Sequence, residues 1–291
     1  MRKMQVTCAL LVAVILFSCS KETSIDNGGN PPGGPGGAGG ALGNNCKVNT
    51  IIAADSLTGK GMFSLFTKFN ASRQATRVEA YDSINLSLEA AADLIYKGDT
   101  IRVGPNEYFV TDASKRISKY YSRIDPADPA SDEYVYNYSY DAAGYLKEKT
   151  ISLAGIPIPI VKFVYTWAGG NLVKIEGNAT VLGLNQKVLT AELTYDASKT
   201  AKNFIQVMPD AFETFLYMMA VDIGKKSTNV VKTIIMTTYD NNGAPSDTYT
   251  TLIKDVKFST DGYITEWFAQ GDSFDALGIF SGRTLFKYSC N

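Results

Sequence analysis

The stretch Asn137 to Ile151, NYSYDAAGYLKEKTI, constrains this chain more than any other. Tyr134, Tyr136, Tyr138 and Tyr140 alternate, so they share one face of an extended strand, where side chains point to opposite faces with period two. Asp141 to Gly144 reads as a β-turn, because Asp at the first position can accept a backbone hydrogen bond and Gly suits the last. Tyr145 to Ile151 resumes as the return strand. A chain that spells one hairpin this clearly and repeats it is committed to antiparallel sheet.

The same grammar recurs. TTYDNNGAPSDTYT repeats Tyr239, Asp240 and Gly243, and KFSTDGYITEW sets Phe258, Ser259, Gly262, Tyr263 and Ile264 in the register of Tyr140, Asp141, Gly144, Tyr145 and Leu146. LTYDASKTAKNF keeps Tyr195 and Asp196 with Lys199 where Gly would fall, while FVYTWAGGNLVKI and YFVTDASKRISKYY read as further degraded copies. Short strands between turn signals predict an all-β meander, and reuse of one unit predicts a large curved sheet or a barrel-like fold. Uneven spacing argues against a strict solenoid or propeller.

Tyr140-Asp141-x-x-Gly144-x-Leu146 resembles the tyrosine-aspartate repeat of Rhs-type shell proteins, whose hairpins build long curved sheets. A closer resemblance is to uncharacterised Gram-negative envelope lipoproteins that carry a degenerate form of this hairpin behind a Gly-rich tether. That likeness implies a barrel-like meander with a helix inserted late in the sheet, and no known activity.

The N-terminus carries its own signal. Arg2 and Lys3 precede an apolar run from Cys8 to Phe17, too short for a bilayer span of about 20 residues and of signal-peptide length. Leu16-Phe17-Ser18-Cys19 resembles the lipobox of bacterial lipoproteins, which implies that Cys19 is lipidated and becomes the first residue. Residues 20 to 45 hold nine of the 25 glycines; with so little to bury, they are expected to form a disordered tether reaching roughly 30 Å. The expected organisation is therefore a signal peptide at 1–18, lipidated Cys19 with its tether to 45, and one β-meander domain over 46–291. Ser20 after the cysteine favours the outer membrane, at its periplasmic or cell-surface face.

Of four cysteines, Cys46 and Cys290 bracket the expected domain. In an oxidising envelope compartment they are predicted to pair. MPDAFETFLYMMAVDIGKK is the exception to strand patterning: Asp210 and Glu213 form a capping-box spacing, Phe212, Phe215, Leu216, Met219 and Ile223 share a helical face, and Gly224 suits the stop. A buried helix near 210–223 is the expectation.

Chemistry is sparse. With no histidine, the chain cannot supply a His-based triad, a His zinc ligand or a His general base. Balanced charge, 28 basic against 29 acidic residues, gives no basic excess for a phosphate backbone, so no nucleic-acid partner is expected. No catalytic, cofactor or metal motif stands out, and none of these is expected. The leading expectation is a non-enzymatic structural or interaction module held to the membrane by an N-terminal lipid, with an envelope protein or a glycan as its partner. Tyr134, Tyr136 and Tyr138 are the candidate binding face, and core packing through cross-strand pairs is the competing reading. The alternatives are a surface glycan- or ligand-binding lipoprotein and a carboxylate-based hydrolase.

Overall fold

The structure is a computed structural model that describes residues 46–54, 61–82, 87–104, 106–123, 128, 131–181, 184–200, 202, 221–271 and 281–290. Seventeen strands follow one another in it: β1 Lys47–Ala54, β2 Gly61–Phe69, β3 Ala75–Asp82, β4 Leu88–Asp93, β5 Ile95–Lys97, β6 Thr100–Arg102, β7 Tyr108–Thr111, β8 Ile117–Arg123, β9 Glu133–Tyr140, β10 Leu146–Leu153, β11 Val161–Ala168, β12 Asn171–Val181, β13 Leu184–Thr200, β14 Asn229–Tyr239, β15 Pro245–Phe258, β16 Ile264–Gly271 and β17 Gly282–Ser289. Nearly every strand pairs antiparallel with the next, and β17 returns to pair with β1 from Lys47↔Ser289 to Ala54↔Arg283. The one break lies between β4, paired with β3, and β5, paired with β6; Leu94 alone joins them. The result is a nearly closed barrel.

One face of this sheet is apolar and contiguous around the ring. Ile51, Leu65, Phe109, Tyr136, Leu146, Ile175, Leu193, Ile234, Trp267 and Phe286 belong to a single buried cluster, so this face is the interior. The other face carries rows of ion pairs running from strand to strand: Lys68 and Arg77 on Glu79, Lys162 on Glu148, Lys174 and Lys187 on Glu176, and Lys257 and Arg283 on Glu266. The alternation that puts Tyr136 and Tyr138 opposite Ile151 and Lys149 inside puts Glu148 and Lys162 outside.

LEAAADLIYK, whose composition would also suit a helix, forms β4 and β5. The helix expected near 210–223 falls outside the described residues except for Val221, Asp222 and Ile223, which take no helical form. The copy at LTYDASKTAKNF needs correction. Asp196 does not begin a turn: β13 runs on to Thr200, and the Asp196 carboxylate accepts from the amide and hydroxyl of Ser198. The same four residues, Asp-Ala-Ser-Lys, do form the turn at 112–115, so residue type does not decide the outcome; here the strand bulges between Asp196 and Thr200, where Asn229 Nδ2 donates to the carbonyls of Ala197 and Lys199.

Candidate functional site

Four sites repeat one turn at one end of the barrel, and a fifth repeats it at the other. In each, the first residue's N–H donates to the carbonyl four residues on, and the fourth residue's N–H donates back to the first: Asn70–Gln74, Asp112–Arg116, Asp141–Tyr145, Asp240–Ala244 and Ser259–Tyr263. This is a type I turn closed by a left-handed residue, namely Arg73, Lys115, Gly144, Gly243 and Gly262, with φ between 60° and 92°. In all five, the first side chain also accepts the N–H of the fifth residue. That acceptor is the physical reason for Asp, Asn or Ser at the position. Asn70–Gln74 escaped the sequence reading because it lacks both the tyrosine and the glycine. Lys115 shows that the degraded copy at YFVTDASKRISKYY keeps the full turn.

The aromatic of the motif has a separate task. Tyr140 Oη donates to the carbonyl of Ile117 at 2.6 Å, Trp167 Nε1 to Leu146 at 2.7 Å, Tyr195 Oη to Leu172 at 2.6 Å and Tyr288 Oη to Ile264 at 2.5 Å. Each latch runs from near the end of one returning strand to the start of the strand before it, and so fastens neighbouring hairpins together. Burial pushes the Tyr195 hydroxyl up to about 12, against the pull of its hydrogen bond from Ser227. The proton that makes the latch is therefore retained. Phe258 holds the same place in β15 and has no hydroxyl to give.

Of the seven inter-strand connections at this end, six are tight turns and the seventh is the crossing from β13 to β14; β1 and β17 also meet here. We call it the turn end; the strand termini Lys47 and Ser289 meet here, and Cys46 and Cys290 are joined by a disulfide. Residues 221–229 run along it as a strap. Asp222 O accepts from Ile117 N, Lys225 N donates to Gly144 O, and Thr228 N donates to Gly170 O. Gly224 makes this possible: a Cβ there would lie 2.7 Å from Gly144 O and 2.9 Å from the Tyr140 ring. Lys226 within the strap is pushed down to about 8 by burial, despite the opposing pull of Asp222.

The interior wall over β7–β12 holds a run of aromatic rings. Phe109 stacks on Tyr120 at 4.5 Å, Tyr120 lies 5.1 Å from Tyr136, and the Lys149 ammonium sits 5.8 Å from the Tyr136 ring and 4.8 Å from that of Phe163. Lys149 is only 1% exposed. Gly177 gives Phe163 its room, since a Cβ would come within 2.8 Å of that ring. Glu107 joins this wall, accepting from Ser122 Oγ at 3.0 Å and from the Tyr120 hydroxyl. Burial raises its pKa despite those hydrogen bonds. Neither Lys149 nor Glu107 carried a sequence signal; both look like ordinary surface charges on alternating strands.

Tyr136 and Tyr138 are buried in the core, Tyr134 is half-buried beside them, and Tyr140 is half-buried as a latch with the Arg116 guanidinium 4.1 Å from its ring. They therefore build the inner wall and offer no exposed strip. Among the described residues no cluster of three or more acidic, His or Cys side chains could hold a metal ion, and no helix is long and apolar enough to cross a membrane, which says nothing of strands. Cys19 lies outside the described residues.

No protein-family profile matches the chain, and no curated protein matches it by sequence. Solved structures do resemble the fold. A porin-like protein from Bacteroides uniformis is 10% identical, with a TM-score of 0.55 over 82% of this chain and 96% of that one. Another from Bacteroides vulgatus is 11% identical, with a TM-score of 0.56 over 84% of this chain and 99% of that one. At that identity the likeness establishes the barrel fold. A Photorhabdus luminescens Tc holotoxin pore overlaps 80% of this chain and 16% of its own at a TM-score of 0.22, too loosely to carry an argument.

Proposed function

We propose that this chain is an outer-membrane lipoprotein with degenerate tyrosine-aspartate hairpins, anchored through Cys19 and serving as a non-enzymatic structural or interaction module of the envelope. The single observation that carries the reading is the polarity of the barrel wall. Its outer face bears strand-to-strand ion pairs around Glu79, Glu148, Glu176 and Glu266, and its interior is mostly apolar, with Lys149 and Glu107 set among the rings. A Lys or Arg on the lipid face of a membrane barrel costs about 2–4 kcal/mol at mid-depth. A wall built this way belongs in water, so membrane association is left to the N-terminal anchor. The likeness to porin-like barrels supports an envelope setting without making this barrel a pore. In this reading residues 1–18 are removed and 20–45 form the tether.

Replacing Cys19 by Ala should abolish metabolic labelling of the protein with radioactive palmitate. Label that persists in the variant overturns the anchored reading. A glycan-binding surface is less well supported, because Tyr136 and Tyr138 are buried. A hydrolase is less well supported too. The carboxylates held low, Glu79, Asp112, Glu176, Asp196 and Asp240, are bound to Lys, Arg, a Ser hydroxyl or backbone amides and share no hydrogen bond with Glu107 among the described residues.

A further inference from the structure

The two ends of the barrel differ in charge. At the turn end Lys47, Lys97, Lys202 and Lys225 are exposed and make no ion pair with a carboxylate among the described residues. Three of them are seated on aromatic rings around the rim: Lys47 lies 5.8 Å from the centre of Phe69, Lys202 5.6 Å from that of Tyr263 and Lys225 5.4 Å from that of Tyr145. Acids at this end are mostly spoken for. Asp99, Asp112 and Asp196 pair with Lys115, Arg116 and Lys199, and the carboxylates of Asp141 and Asp222 accept backbone N–H groups of Tyr145 and Gly224. The far end is acidic instead, with Asp132, Glu133, Asp240 and Asp247 on its strand ends and loops. Among the described residues, charge is thus sorted along the barrel axis toward a positive and a negative end.

Cys46 fixes which pole faces what. The chain enters the barrel at the positive end, where Lys47 pairs with Ser289, so the 26 residues from 20 to 45 leave from the same end toward Cys19. We propose that the turn end is a basic docking face for an anionic phospholipid surface, on which the barrel stands upright beside its own anchor. A Lys near an anionic membrane surface contributes about 1 kcal/mol, and rings give three of these four cations fixed places, Lys47 also donating to the Arg73 carbonyl. The acidic far end is repelled by the same surface and directed away from it. The orientation rests on the anchored reading, whereas the docking face itself can be tested without any lipid on the protein.

The test uses residues 20–291, which keep the whole described barrel and cannot be acylated at Cys19. The chain is sedimented with vesicles of phosphatidylcholine alone and with vesicles containing 30% phosphatidylglycerol. Binding to the anionic vesicles only, lost at 0.5 M salt, is expected. The triple variant Lys97→Glu, Lys202→Glu, Lys225→Glu should bind about a hundredfold more weakly, while Lys119→Glu, Lys232→Glu, Lys254→Glu, with the same net charge change on the wall, should bind like the parent. Equal binding to neutral vesicles, no binding to anionic ones, or equal loss in the two triple variants overturns the proposal. Far-ultraviolet circular dichroism of both variants establishes that each retains the barrel. Failure here with palmitate labelling intact would leave the anchor standing and remove only the docking face.

Discussion

The turn end and the far end are built from the same strands, yet they are fastened differently. At the turn end the same side-chain-supported turn recurs, aromatic latches tie hairpin to hairpin, a strap crosses the tips and a disulfide joins the residues flanking β1 and β17. At the far end only the Asp240–Ala244 connection shows that turn among the described residues, and apolar side chains protrude: Leu184 is 65% exposed, Ile158 62% and Ile156 48%. The difference shows where the barrel is held. At the turn end, backbone groups at strand ends are satisfied by side chains and by the strap.

The largest expected effect comes from the disulfide. Cys46 and Cys290 are 244 residues apart in sequence, and closing a loop of that size is worth about 5 kcal/mol in the chain-entropy account. Cys290→Ala should lower the thermal midpoint strongly, and reduction of the parent protein should reproduce the loss. A midpoint that reduction leaves unchanged would mean that the β1–β17 ladder closes the ring unaided.

Glycine substitutions test the contrast between the rims directly. Gly224→Ala forces a Cβ against Gly144 O and the Tyr140 ring at a left-handed φ of 92°, and should cost about 2–3 kcal/mol in chemical denaturation. Gly243→Ala, at a φ of 76° with nothing within 4 Å, should cost only about 1 kcal/mol. Equal costs would remove the claim that the strap is tightly fitted.

The latch gives a smaller effect. Tyr195→Phe leaves the Leu172 carbonyl and Ser227 Oγ without that hydroxyl and should cost about 1–2 kcal/mol. Phe258→Tyr, by contrast, should cost little. If Tyr195→Phe is neutral, the aromatic serves by packing alone.

Smallest is a pH effect on the inner wall. The Glu107 pKa is raised in the fold, so its ionised form is the disfavoured one and the native state is weakened at pH above that raised value. Glu107→Gln should therefore be more stable than the parent at pH 8. Its advantage should shrink as pH falls through the raised value and vanish below the ordinary carboxyl value of 4.5, where both folded and unfolded parent chains are protonated. A constant gap across that window would show that Glu107 is not enclosed as described.

Much of this architecture could be read from the chain. Asp141 and Gly144, or Ser259 and Gly262, announce their turn because the turn needs a short acceptor first and a left-handed residue fourth, and both needs are met within five residues. Other parts could not. Asp196–Lys199 repeats Asp112–Lys115 residue for residue, yet the first lies in a strand paired with β14 and the second forms the turn, so the tetrapeptide alone cannot tell them apart. Arg73 and Lys115 occupy left-handed positions that their residue types do not advertise; the flanking ladders hold them there. Tyr136 and Tyr138 could have been a sugar platform or a core until ring closure decided which face was inside.

The sequence by itself determined the hairpin unit, its turn chemistry, the all-antiparallel class and the pairing partners Cys46 and Cys290. Each of these depends on residues close together or on simple elimination among few cysteines. Only the tertiary structure decided that β17 returns to β1, that Lys149 and Glu107 face inward, that Tyr140, Trp167, Tyr195 and Tyr288 latch one hairpin to the preceding one, and that the cations gather at the rim where the chain enters. Those outcomes depend on which strand meets which across more than twenty residues of chain, and a local pattern of alternation is the same whichever face turns inward.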